Sequence, residues 1–238
     1  MRPSLALALV LALAACAPRL AEGRVLLVPG GVVQGAWVEP WGIPLPGPPL
    51  LADGRKDLLY FAYPFELLVY EDAMPKASIP LPGTPRFLHA RPLAAAGGPF
   101  GLWSERGTLD HPARDARATP KGLFWLDEQG RPYHDRRPLG EERYQAVVAH
   151  GERVAFLGRE AWFLDLGRFA IVPFKKAELF TYLYLLTPRG VAAYTPSGLE
   201  LAFLPGSFQD LKVDEAGVWL LGEGGELVAT DHELEVRR

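Results

Sequence analysis

An all-β body, built from repeated strand-and-turn units, is what this chain of 238 residues encodes. Three observations point there. Short apolar runs rich in Val, Leu, Phe, Tyr and Trp are bounded by Gly, Pro and Asp, which is how strands and turns alternate in sequence. Within each run the apolar residues are continuous rather than alternating, as in strands covered on both faces. Finally, an apolar strand end, often followed by Pro or Gly, recurs along the chain at a similar spacing.

The first segment is not part of that body. Met1-Arg2 is a short basic start, residues 5–15 are an apolar run of Leu, Ala and Val, and the run ends in Leu13-Ala14-Ala15-Cys16. A basic start, an apolar stretch and small residues before a cut site form a secretory signal. The stretch is too short for a bilayer core, which needs about 20 residues. The last four positions resemble the bacterial lipoprotein signal, in which Leu and two small residues precede an invariant Cys. That resemblance implies a signal peptide over residues 1–15, cleavage after Ala15, and lipid on the thiol and new amine of Cys16. Residues 16–23 then form the lipidated Cys and a short tether, with a reach of about 25 Å, and residues 24–238 the folded domain. Ala17, in place of Asp, favours the outer membrane over the inner by enterobacterial sorting rules.

Composition narrows the function classes. The formal net charge is −3, so no basic surplus argues for nucleic acid or for purely electrostatic membrane binding. Cys16 is the only cysteine, and the mature body therefore rests on its core rather than on disulfides. An apolar fraction of 49% and six tryptophans supply that core.

From residue 24 onward the elements follow in order. The first strand is Val25-Leu26-Leu27-Val28 before Pro29-Gly30-Gly31, and Leu58-Leu59-Tyr60-Phe61 follows. Later come Leu123-Phe124-Trp125-Leu126, Val154-Ala155-Phe156-Leu157 and Val218-Trp219-Leu220-Leu221. The recurring strand end appears at Leu45, Leu81, Leu139, Val172, Leu204 and Val236, spaced by 36, 58, 33, 32 and 32 residues. Between markers the order is strand, turn, strand, turn, strand. In the last unit the expected strands are 208–213, 218–221, 226–230 and 234–236. Such periodicity is the mark of propeller blades, because a lone four-stranded meander cannot bury both faces. The body resembles the β-propeller proteins of the bacterial envelope. The expectation is a small β-propeller of about six blades with three to four short strands each; a β-sandwich or barrel is the alternative. The first unit is short, and its missing strand is expected from the other terminus. Residues 141–149, which begin with charge and continue with good helix formers, and residues 175–186, an apolar aromatic run that periodicity does not assign, are open to a helical reading; both are read as strands because they fall where the repeat places strands. The long third unit is read as carrying an inserted loop over residues 104–121, a place where repeat proteins often put a binding surface.

Templates for chemistry are sparse. No Gly-x-Ser-x-Gly elbow or phosphate-binding loop is present. His89, His111, His134, His150 and His232 show no paired ligand spacing, so no metal and no cofactor is expected. One constellation stands out as a candidate anion-binding patch: Arg114, Arg117, Arg131, His134, Arg136 and Arg137. The function that follows is a lipid-anchored envelope lipoprotein acting as a binding or scaffold module for a protein partner or an extracytoplasmic ligand. The alternative is a propeller-type periplasmic enzyme (a dehydrogenase, lactonase or glycan hydrolase), with His, Asp, Glu or Arg converging on the central opening.

Overall fold

The computed structural model describes residues 24–237; Ala15, Cys16 and the tether lie outside the described residues. Every regular element in it is a β-strand. The strands form seven sheets, over residues 25–44, 51–80, 87–109, 113–138, 146–170, 176–205 and 208–230. In each sheet they pair in chain order, and every registered pair is antiparallel. The innermost strands are Val25–Val28, Leu51–Arg55, Phe87–His89, Ala113–Thr119, Ala146–His150, Lys176–Leu179 and Phe208–Asp214. Each touches the next around an axis, and Phe208–Asp214 returns to Val25–Val28 to close the circle. The arrangement is radial rather than two-layered: a seven-bladed β-propeller.

The blade count corrects the expectation of about six. The 58-residue interval between Leu81 and Leu139 holds two short blades, not one blade with an insertion. Residues 104–121 are the outer end of the third blade, including Gly107–Leu109, and the innermost strand of the fourth, Ala113–Thr119. The third blade escaped detection because Ala95–Gly98 has no branched or aromatic residue and Leu109 is followed by Asp110-His111-Pro112 rather than by Pro-Gly. A second correction concerns closure. The first blade owns four strands, and the incomplete one is the seventh, with three strands and a single bridge from Thr230 to Val236. The ring closes by faces packing, not by one terminus completing the other's sheet. The two segments open to a helical reading contain strands, Ala146–His150 in the first and Lys176–Leu179 and Leu183–Thr187 in the second, while residues 141–145 are a connection without regular structure.

Burial explains the continuous apolar runs. Second strands are covered on both faces, so Gly122–Asp127 and Leu183–Thr187 are buried along their whole length. Outermost strands are not, and Glu200–Pro205 alternates between exposed and half-buried positions. Apolar clusters fill the spaces between consecutive blades from the first to the seventh. Among the described residues no such cluster gathers at the seam between the seventh blade and the first, where Phe208–Asp214 and Gly217–Gly222 meet Val25–Val28.

One turn design recurs. In Thr187-Pro188-Arg189-Gly190 the Thr187 hydroxyl donates to the Gly190 carbonyl at 2.9 Å and accepts the Arg189 amide at 3.2 Å. Thr119 to Gly122 and Ser104 to Gly107 repeat it. Gly190 has φ of +150°, and an added Cβ would collide with the Leu204 carbonyl of the adjoining strand. Gly190→Ala is therefore expected to destabilise the fold by about 1–3 kcal/mol. Gly140→Ala, where a Cβ meets nothing within 4 Å, serves as a neutral reference. Urea midpoints that match for the two variants would contradict the assignment.

Candidate functional site

The axis is where chemistry-bearing side chains converge. They come from innermost strands, often two residues apart with a small or apolar residue between: Asp115-Ala116-Arg117, Lys176-Ala177-Glu178 and Asp210-Leu211-Lys212. Alternation along a strand sends the two charged members to the same side. Asp53 and His89 join them from the second and third blades.

These groups are partners of one another. Lys212 Nζ lies 2.8 Å from Asp53 Oδ1, joining the seventh blade to the second past the first. Arg117 Nη2 lies 3.4 Å from Glu178 Oε2, joining the fourth to the sixth past the fifth. His89 Nε2 is 2.7 Å from Asp115 Oδ1, and Lys176 is paired with Asp210. The carboxylates also hold backbone of neighbouring blades. Asp53 Oδ2 accepts the Ala90 amide at 2.8 Å, Asp115 Oδ2 accepts the Val147 amide at 2.9 Å, and Arg117 Nε donates to the Val147 carbonyl at 3.0 Å. Asp53, Asp115, Arg117 and Lys212 are all buried. At the end of the channel where the innermost strands finish, Phe180 stacks on His232 and meets His150 at a tilt, with ring centroids 4.9 Å and 4.2 Å apart. Among the described residues no group of three or more His, Cys, Asp or Glu is arranged to hold a metal ion.

Titration follows from this packing. Burial raises the Asp53 carboxyl, but the Lys212 charge and hydrogen bond outweigh it and hold the group well below the usual carboxylate range. Burial also raises Asp115, and the His89 ring, with Arg117 and the Val147 amide, lowers it further than burial raises it. Burial and then Arg117 push His89 down against the pull of Asp115, so the ring stays neutral. Burial likewise pushes the Lys212 ammonium down, against Asp53. The depressed carboxylates contribute stability that is present above their ordinary values and lost as pH falls toward the folded ones. The depressed His89 adds a loss that sets in once pH drops below its ordinary value of about 6.5. The melting temperature is thus expected to begin falling below about pH 6.5 and to fall further below about pH 4. A flat profile between neutrality and pH 3 would contradict the ionic axis.

The candidate anion patch is not one place. Arg117 is buried in the channel. Arg114 is exposed at the start of its strand and lines a groove of about 630 Å³ between the fourth and fifth blades. Arg131 is tied to Asp127 at 2.7 Å in a turn on the same face. His134 stacks on Phe124 at 4.2 Å, and with Arg136 and Arg137 it sits at the opposite face. The channel network went unseen in the sequence except for Arg117 and His89, yet the three charged–apolar–charged triplets were its visible signal.

Comparison with known proteins identifies the fold alone. No family model matches the chain, and no curated protein does. Among solved structures, BBS1N in complex with ARL6DN is similar at 13% identity and a TM-score of 0.56, over 76% of this chain and 75% of that one. PorZ, a bacterial surface component of the type-IX secretion system of Porphyromonas gingivalis, is similar at 12% identity and a TM-score of 0.61. That match covers 90% of this chain and 38% of PorZ. The computationally designed protein Ika8 is similar at 11% identity and a TM-score of 0.54, over 83% and 79% of the two chains.

Proposed function

We propose that this chain is a lipid-anchored envelope protein whose seven-bladed ring is a rigid platform for a protein partner. One observation carries the reading. The side chains that converge on the axis are consumed in pairing with one another, which makes the channel an axle and leaves the faces to do the binding. On the face where the innermost strands begin, Trp37, which opens a strand of the first blade, and Phe65, in a turn of the second, have 53% and 62% of their surface exposed, and Leu50 lies between the two blades in sequence. Exposed aromatic side chains of this kind serve as anchors at protein interfaces. BBS1N was crystallised in complex with ARL6DN, which supports a partner-binding role, and PorZ is a bacterial surface component, which supports a place in the envelope.

The tether is the second half of the proposal, and Leu13-Ala14-Ala15-Cys16 supports it. Cys16→Ser is expected to move the protein from the membrane to the soluble fraction, and mass spectrometry of the native protein is expected to find lipid on residue 16. An unmodified Cys16 in native membranes would end the tethering. For the platform, the test is affinity purification of the full chain from detergent-solubilised envelopes. A protein recovered in fixed ratio is expected; a chain that purifies alone would contradict the reading.

A further inference from the structure

We infer that the mouth of the channel, on the face where the innermost strands begin, is a binding site for a multiply charged oxyanion of the phosphate class. A cavity of about 440 Å³ opens there. Its lining holds five cationic side chains, Arg24, Arg86, Lys175, Lys176 and Lys212, against a single carboxylate, Asp210. The chain as a whole is net negative, so this is a local concentration of one sign and not a property of the whole surface. A concave site with walls of one charge focuses the field on a bound ion of the other.

The placement is built by the fold. Arg24, Arg86 and Lys175 each stand immediately before an innermost strand, those of the first, third and sixth blades. All three therefore border the same cavity, from three different blades. Two of the three have fixed backbones: the Arg86 amide donates to the Gly97 carbonyl and the Lys175 amide to the Leu186 carbonyl, each at 2.7 Å. Lys176 and Lys212 lie deeper and are already matched by Asp210 and Asp53. Among the described residues Arg24 and Lys175 have no ion-pair partner, and Arg86 reaches only Glu128 at the surface, at 3.6 Å. The three outer cations are thus the ones available to an incoming ion, while the inner pairs keep the floor of the cavity neutral. Arginine pairs present parallel donors to phosphate oxygens, and lysine adds a point charge.

Residue 24 is only eight positions after Cys16. Under the lipid-anchored reading, on which this step alone rests, the mouth lies within the tether's reach of the membrane, and a lipid headgroup phosphate is the natural occupant. A free polyphosphate has the same chemistry, and experiment separates the two. The full mature chain carrying Cys16→Ser, and so without lipid, is titrated at low ionic strength with tripolyphosphate. Separately it is mixed with vesicles of phosphatidylcholine, with and without phosphatidylglycerol. Tripolyphosphate is expected to bind. The combined Arg24→Ser, Arg86→Ser and Lys175→Ser variant is expected to lose at least tenfold, given about fivefold per cation at an anionic surface. Arg136→Ser with Arg137→Ser, on the opposite face, is expected to leave binding unchanged, and thermal melts check that both variants fold. Vesicle binding that needs phosphatidylglycerol and is displaced by tripolyphosphate assigns the headgroup; tripolyphosphate binding without vesicle binding assigns a free oxyanion. Failure to bind either probe, vesicle binding that tripolyphosphate does not displace, or an equal loss in both variants would overturn the site. An unlipidated Cys16 in native membranes would end the tethering reading and leave the tripolyphosphate result standing.

Discussion

Asp53→Ala is expected to destabilise the fold by about 3–5 kcal/mol, because it leaves the Lys212 ammonium buried without its counter-charge. The position magnifies the loss. Asp53 also accepts the Ala90 amide, so one carboxylate ties together the second, third and seventh blades. The pair bridges past the first blade, next to the seam where no apolar cluster gathers among the described residues. Hydrogen exchange is therefore expected to rise first in Val25–Val28 and Phe208–Asp214. The double variant Asp53→Leu with Lys212→Met removes both charges together and is expected to recover most of the loss, since replacing a buried pair by apolar groups is often neutral. Urea unfolding of the parent, each single variant and the double measures the coupling. Additive effects of the two substitutions would show that the pair is not an energetic unit.

Phe156→Ala is expected to cost a similar amount, about 3–5 kcal/mol, for a different reason. Phe156 has no exposed surface and sits between the fourth and fifth blades with Phe124, Leu126, Tyr144 and Val154. Its ring centroid is 5.6 Å from that of Tyr144 and 5.7 Å from that of Trp162. Truncation opens a cavity in a space walled by two stiff sheets, neither of which can close it without breaking its own ladder. Phe65→Ala removes the same atoms from an exposed turn and is the matched reference. Similar urea midpoints for the two would mean that face-to-face packing of blades does not hold the ring.

The pattern of residues revealed a good part of this molecule. Apolar runs such as Leu123-Phe124-Trp125-Leu126 announced strands buried on two faces, because only a central strand between packed sheets tolerates so many consecutive apolar side chains. The blade count was harder to read. The third blade, residues 87–109, has alanine and glycine in its second strand where its neighbours carry leucine and aromatic residues. Small residues let it fit tightly beside the second and fourth blades, and the same property erased its signature. The candidate anion patch failed to converge for a topological reason. Residues close in sequence along a meander alternate between opposite faces at each turn, so Arg131 and Arg136 end on different sides of the ring. The groups that do converge, such as Asp53 and Lys212, are far apart in the chain and share only their place on an innermost strand. Sequence spacing carries no trace of that, although the repeated charged–apolar–charged triplets mark three of the strands on which it happens.

Partner recovery by three forms of the full chain separates axle from face in one measurement. The parent, the Asp53→Leu and Lys212→Met double variant, and a Trp37→Ser and Phe65→Ser double variant are each purified from detergent-solubilised envelopes. The channel variant is expected to retain its partner at the parental ratio and the face variant to lose it. Loss of the partner with the channel variant, while it stays folded and the face variant still binds, would make the axis the functional site and contradict the platform.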